Sequence, residues 1–165
     1  MSCNLAVAAA LFFASDPVAS ALPESPAVQA PAEASAATGA SALASEPAFA
    51  ALVQEAQRLK AVTDGWIVPD ILGDAHFVHM PAFQTFKTQI AALAAADMNG
   101  HLELKQRGTD SDLTCIMRGI AEDMPQKLAQ LEEAAPGASR KMALEELSYL
   151  LNDNAEVILA PALAH

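Results

Sequence analysis

The sequence predicts an all-α fold, an antiparallel four-helix bundle over residues 45–165 with an irregular segment between its first two helices. Hydrophobic residues make up 53% of the chain and are rich in alanine, whereas aromatic residues make up only 5%. A core of Ala, Leu, Met, Ile and Val favours helices. Four stretches with apolar residues at three- and four-residue spacing are separated by short loops, which place consecutive helices antiparallel. About 115 residues can bury a core without a metal or disulfide.

The first helix is predicted to begin after Ser45, whose hydroxyl can cap it, with Pro47 in the first turn. It is predicted to end at Asp64 and Gly65, because glycine can adopt the left-handed conformation that closes a helix. A single apolar stripe supports this helix. The stripe consists of Phe49, Leu52, Val53, Ala56 and Leu59.

The second helix is predicted to begin at Pro81, since proline suits the first helical turn. Asn99 and Gly100 are expected to end it, with residues 101–107 forming a connector or a ragged helical turn. Its inward face consists of Phe83, Phe86, Ile90, Leu93 and Asp97.

The third helix is predicted to start within residues 108–112. Pro125 falls inside it, so we expect a kink or a restart near Asp123, because proline lacks a backbone donor and clashes with the preceding turn. The apolar stripe of this helix consists of Leu113, Ile116, Met117, Ile120, Met124, Leu128 and Leu131.

Ser139 is predicted to cap a fourth helix that runs to about Ile158. Asn154 falls close to the apolar stripe of this helix, where a polar side chain must find a partner and can fix the register of the bundle. The alternative is that Asn154 belongs to a polar pocket for a ligand or a partner. The inward positions are Ala143, Leu147, Leu150, Leu151 and Ile158.

The N-terminus has the pattern of an export signal. The apolar run from Leu5 to Ala14 is of signal-peptide length, and residues 19–21 (Ala-Ser-Ala) form a small-x-small cleavage sequence. We expect residues 1–21 to be a signal peptide, and the processed protein to be periplasmic or secreted and not integral to the membrane. Residues 1–4 contain no Lys or Arg, which leaves a cytoplasmic location open. Residues 22–44, rich in Ala, Ser, Pro and Glu, are expected to be a disordered linker.

The net charge of −11 at pH 7 limits the classes of partner. Nucleic acid is excluded as an expected partner, because phosphate binding needs clustered Lys and Arg. A cationic protein fits better, although acidity also serves solubility alone.

The irregular segment holds the first candidate site. Trp66, Ile67 and Val68 are predicted either to plug the end of the bundle or to form an exposed apolar patch for a protein partner. Phe77 belongs to the same group of aromatic residues and is included in this predicted partner-binding patch.

His76 and His79 are the second candidate site. Two imidazoles three residues apart share a helical face and can bind a divalent metal together with Asp74. A further ligand would have to come from elsewhere in the fold. The alternative is that both histidines are ordinary polar residues beside a loop.

Cys115 is the third candidate. Helical spacing points it away from the apolar stripe, and removal of a signal peptide would remove Cys3, the other cysteine of the chain. A single remaining cysteine in an exported protein suggests an intermolecular disulfide and hence a homodimer. The alternative is close helix packing, because Cys115 and Gly119 are small residues four positions apart.

These patterns predict a protein without enzymatic activity. Side chains adjacent in sequence point about 100° apart on a helix, so the adjacent acidic pairs do not look like a paired-carboxylate catalytic site, and no base accompanies Cys115. We therefore expect an exported helical protein without a cofactor that binds another protein, as an inhibitor, an immunity-type factor or an envelope adaptor. The alternative is a metal- or small-ligand-binding bundle that uses His76 and His79.

Overall fold

The computed structural model describes residues 42–67, 70–109 and 111–160, which form an antiparallel four-helix bundle. The predicted fold class is confirmed, and no strand occurs in these ranges. The predicted signal peptide and most of the predicted linker lie outside them. A helical turn at residues 42–45 precedes the four long helices. These helices are α1 (Pro47–Ile67), α2 (Pro81–Gln106), α3 (Ser111–Glu133) and α4 (Ala138–Leu159).

The four helices form a closed ring in which each packs against the next in the chain and α4 packs against α1. Side-chain hydrogen bonds mark the register of neighbouring helices. Ser148 Oγ on α4 donates to Asp64 Oδ1 on α1 at 2.5 Å. Lys87 Nζ on α2 lies 2.6 Å from Glu132 Oε1 on α3. Lys87 lies near the beginning of α2 and Glu132 at the end of α3, as antiparallel neighbours require, whereas Ser148 lies in the middle of α4 and Asp64 near the end of α1.

The predicted stripes of α1 and α2 are buried in full, including the polar residue Asp97. The stripe of α3 is rotated relative to the prediction, because Ile116 is exposed whereas Thr114 and Ala121 are buried. On α4 the inward face also contains two polar residues that the apolar pattern did not identify, Arg140 and Ser148.

Two predicted helix ends are wrong. Helix α1 continues through Gly65 to Ile67, and α2 continues through Gly100 to Gln106. The residue that closes α2 is Gly108, which has a φ of 69°. The Gly108 N–H donates to the Lys105 carbonyl at 3.2 Å, and the Thr109 N–H to the Leu104 carbonyl at 3.0 Å. This pair of bonds satisfies the last carbonyls of a helix and needs a residue that tolerates positive φ.

Two further expectations need correction. Of the kink or restart predicted near Asp123, the restart is wrong, because α3 continues through the exposed Pro125, whereas the kink stays a prediction. Helix α4 begins one residue before Ser139, and the residue that precedes it is Gly137, with a φ of 90°. The Gly137 N–H donates outside its own loop, to the Leu72 carbonyl at 2.9 Å. The loop is therefore held by the segment between α1 and α2.

One hydrogen bond crosses the ring diagonally. Asn154 Nδ2 on α4 donates to Asp97 Oδ2 on α2, and both residues are only 1% exposed. Helices α2 and α4 are not neighbours in the ring, so this bond passes through the core. The prediction that Asn154 finds a polar partner on another helix is confirmed.

Gly100 allows α2 to approach α1 and α3 closely. A Cβ atom at this position would lie 3.1 Å from Met117 Cε and 3.2 Å from Phe49 Cε1. These separations are tighter than ordinary contact, and the Phe49 ring is fully buried. Glycine is retained inside this helix because its neighbours occupy the space of a side chain.

We expect Gly100→Val to lower the free energy of unfolding by about 1–3 kcal/mol, because the added methyl groups overpack the core. Gly119→Ala is the matched control. Nothing lies within 4 Å of a Cβ at Gly119, so alanine should raise the free energy of unfolding by about 0.5–1 kcal/mol through its helix propensity. Urea unfolding followed by circular dichroism measures both. A Gly100→Val protein as stable as wild type would contradict this packing.

Candidate partner-binding surfaces

The segment between α1 and α2 folds as a cap over one end of the bundle. It contains two 3₁₀ turns, Asp70–Gly73 and Phe77–His79. Phe77 is 1% exposed and stands edge-on to Trp66, with ring centroids 5.3 Å apart. Trp66 also packs on Phe86 at 4.9 Å, and Phe77 packs on Phe83 at 5.2 Å. Edge-to-face aromatic contacts of this kind add to the stabilisation from buried area.

Arg140 fastens this cap to α4. Its side chain is buried, and its Nη1 donates to the carbonyls of Leu72 at 3.0 Å and Asp74 at 2.7 Å. The guanidinium carbon lies 5.4 Å from the centre of the Phe77 ring, a cation–π distance. No described carboxylate forms an ion pair with Arg140. Backbone carbonyls and an aromatic face therefore solvate a buried cation without a salt bridge, and Arg140 Nε is left buried without a hydrogen-bond partner.

The predicted partner-binding patch is arranged as a plug. Phe77 is buried, Trp66 and Ile67 are half-buried against the core, and Val68 lies outside the described residues. Phe77 is therefore not accessible to a partner in this structure. The aromatic residues of this end stabilise the bundle, and of the predicted patch Trp66 and Ile67 keep part of their surface exposed to solvent.

The two histidines of the predicted metal site are exposed on this cap. The carboxylate of Asp74 accepts a hydrogen bond from the His76 backbone N–H at 2.8 Å, which shapes the turn. Across the described ranges, no group of three or more His, Cys, Asp or Glu side chains is arranged to hold a metal ion. The geometry therefore adds no third ligand to His76 and His79.

Cys115 is half-buried on α3 and is disulfide-bonded. Its partner sulfur lies outside the described residues. Because Cys3 is the other cysteine of the sequence, a bridge within one chain can only join it to Cys115, and the predicted intermolecular disulfide between two copies stays a separate prediction.

The most exposed large side chains of α4 lie on the face opposite the core. Tyr149 is 74% exposed and Met142 is 61% exposed. At about 100° per residue, six exposed residues of α4 fall within an arc of about 100° that points away from the bundle axis. We call this arc the α4 outer face; it consists of Met142, Glu145, Glu146, Tyr149, Asp153 and Glu156.

The carboxylates of the α4 outer face are only partly neutralised. Lys127 Nζ on α3 lies 2.7 Å from Glu146 Oε2, and Lys141 Nζ lies 3.8 Å from Glu145 Oε1. No described basic side chain pairs with Asp153 or Glu156. The half of the face beyond Tyr149 is thus an unneutralised acidic surface beside an exposed aromatic ring.

The sequence pattern did not single out this face as a binding surface, because its adjacent acidic residues are also typical of an ordinary solvated helix face. A signal was present, since Met142 and Tyr149 are seven residues apart and share a face with acidic residues. A large aromatic residue that the helical period places in solvent is a candidate contact residue.

Comparison with protein-family models, with curated proteins and with solved structures found no match for this chain. Within the described ranges, no helix combines the length and the apolar character that crossing a bilayer requires.

We expect Arg140→Met to lower the free energy of unfolding by about 2–4 kcal/mol, because hydrogen bonds to a charged donor contribute about 1.5–3 kcal/mol each and do not add fully. Trp66 fluorescence should report an altered cap at the same time. Lys141→Met is the control, since this neighbouring side chain is exposed and its ion pair is worth less than about 1 kcal/mol. Equal losses in the two variants would contradict the role of Arg140.

Proposed function

We propose that this chain is an exported, non-enzymatic helical protein that binds a cationic segment of a partner protein through its α4 outer face. The single observation that carries the proposal is Tyr149, a large aromatic side chain left 74% exposed on a rigid helix. Tyrosine and methionine are enriched in the buried centres of protein interfaces, and tyrosine is frequent among residues that dominate binding energy.

The charge of the face supports a basic occupant. Asp153 and Glu156 lie within one or two helical turns of Tyr149 and carry no described counter-ion. A Lys- or Arg-rich segment would supply those counter-ions while its apolar atoms cover Tyr149 and Met142. Complementary charge also speeds encounter and penalises partners of the wrong sign.

A second copy of the chain fits this face less well. Two-fold pairing of identical faces would bring the carboxylates of both copies together, and like charges placed opposite each other cost free energy. The overall charge of −11 acts in the same direction. We therefore expect a partner of opposite charge to occupy the α4 outer face.

The test begins with a photo-crosslinking amino acid in place of Tyr149 in the full chain, expressed in its native host. Proteins joined to it are identified and purified, and their binding to the unmodified chain is measured by titration calorimetry. The expected partner is a basic protein whose affinity falls as the salt concentration rises. Tyr149→Ala should weaken binding about 30-fold, equivalent to about 2 kcal/mol.

Two variants separate this face from the rest of the surface. Glu156→Lys should slow association, because it reverses a charge beside Tyr149. Leu102→Ala removes an exposed apolar side chain on α2 and should leave the affinity unchanged. A crosslinked protein without excess basic charge, or an affinity equal in wild type and Tyr149→Ala, overturns the proposal.

A further inference from the structure

The diagonal pair of Asp97 and Asn154 contains two polar atoms without a hydrogen-bond partner. Asn154 Nδ2 donates to Asp97 Oδ2, yet Asp97 Oδ1 and Asn154 Oδ1 are both buried and accept no hydrogen bond. Both atoms are acceptors when Asp97 is ionised. Leaving two acceptors without donors inside a core is costly, and native structures seldom do so.

A single proton removes this conflict. A protonated carboxyl group carries one O–H donor, whereas an ionised one carries none. With the proton on Asp97 Oδ1, the carboxyl group and the carboxamide can exchange two hydrogen bonds, and both unpartnered oxygens are satisfied together. Burial acts in the same direction, since it raises the pKa of Asp97 to about 7, against the opposing effect of the Asn154 hydrogen bond.

We propose that Asp97 is protonated in the folded bundle and donates to Asn154 Oδ1 while Asn154 donates to Asp97 Oδ2, so that the contact between α2 and α4 is proton-linked. Ionisation of Asp97 removes one of the two hydrogen bonds and places a charge in the core. The contact that joins the diagonal helices is then weakened, and α4, which bears the outer face, is held less firmly.

Among the described residues, no cation lies where it would hold Asp97 ionised. On α2 itself the nearest buried titratable residue is His101, whose Nδ1–H donates to the Thr114 carbonyl on α3 at 2.7 Å. The antiparallel register brings two ion pairs and one exposed carboxylate to the level of Asp97 along the bundle axis. They are Glu55 with Arg58 on α1, Arg118 with Glu122 on α3, and the exposed Asp153 on α4. Both basic residues of this group pair with acidic residues of their own helix.

The sign of the pH effect follows from proton binding. The pKa of Asp97 is higher in the folded chain than in the unfolded chain, so its contribution to stability is complete below about pH 4 and is lost as pH rises to about 7. Glu55 and Asp64 behave oppositely, because hydrogen bonds from Arg58 and Lys60 lower their pKa values. Their effect is confined to acidic pH, below about pH 5. Between pH 5 and pH 8 both of these carboxylates stay ionised. The difference between the pH profiles of wild type and Asp97→Asn therefore reports Asp97, because the contribution of the histidines is common to both proteins.

The test is urea unfolding of the full chain at several pH values between 5 and 8. The unfolding equilibrium constant of the wild type should rise about 50-fold from pH 5 to pH 7 and change little further by pH 8. Asp97→Asn keeps the shape of the side chain and can form two reciprocal amide hydrogen bonds with Asn154. It should remove most of this rise and be more stable than wild type at pH 8.

Asp153→Asn is the matched control, since it removes an exposed carboxylate next to Asn154 and should keep the wild-type pH profile. Should Asp97→Asn fail to fold, the wild-type profile decides the question, because a profile that is flat from pH 5 to pH 8 contradicts the proposal. Parallel pH profiles for wild type and Asp97→Asn would also overturn it.

Discussion

The arrangement of this bundle depends on the hydrogen-bond partners that its buried polar side chains require. Helix α4 carries three such groups on its inward face, Arg140 near its beginning, Ser148 in its middle and Asn154 near its end. Arg140 finds partners in the carbonyls of Leu72 and Asp74, and Asn154 finds one in Asp97. Apolar packing tolerates small shifts along a helix, but these directional contacts do not. They fix where α4 sits relative to the cap and to α2.

As a result, the two opposite faces of α4 have different roles. The inward face holds the bundle together through Arg140 and Asn154, and the outer face is left free for Tyr149 and its acidic neighbours. Because α4 is held at both ends, Tyr149 is presented on a rigid support, which reduces the ordering cost of binding. The proton on Asp97 links the two faces, since its loss weakens the hold on the helix that bears the proposed binding residues.

Much of the fold follows from local sequence pattern, and its failures have physical causes. The stripes of α1 and α2 were predictable because apolar periodicity reflects burial directly. The extension of α2 beyond Gly100 was not predictable. Glycine usually indicates a helix end, but here it lies inside the helix because side chains of α1 and α3 occupy the space of a Cβ atom. Arg140 was missed because a charged residue is assigned to the surface unless its carbonyl partners are known. Asn154 could be singled out because it lies beside the apolar stripe of α4. The identity of its partner, Asp97, could not be predicted, because it depends on the tertiary fold.

The measurement that tests the central claim most directly is the pH titration of the Asp97 carboxyl carbon by nuclear magnetic resonance in the folded chain. Neutral Asp97 paired with Asn154 requires this carbon to change its chemical shift with a midpoint near pH 7, well above the ordinary value for an aspartate. A midpoint for Asp97 near pH 4 would mean that the core holds a carboxylate, and the account of the diagonal contact would then be wrong.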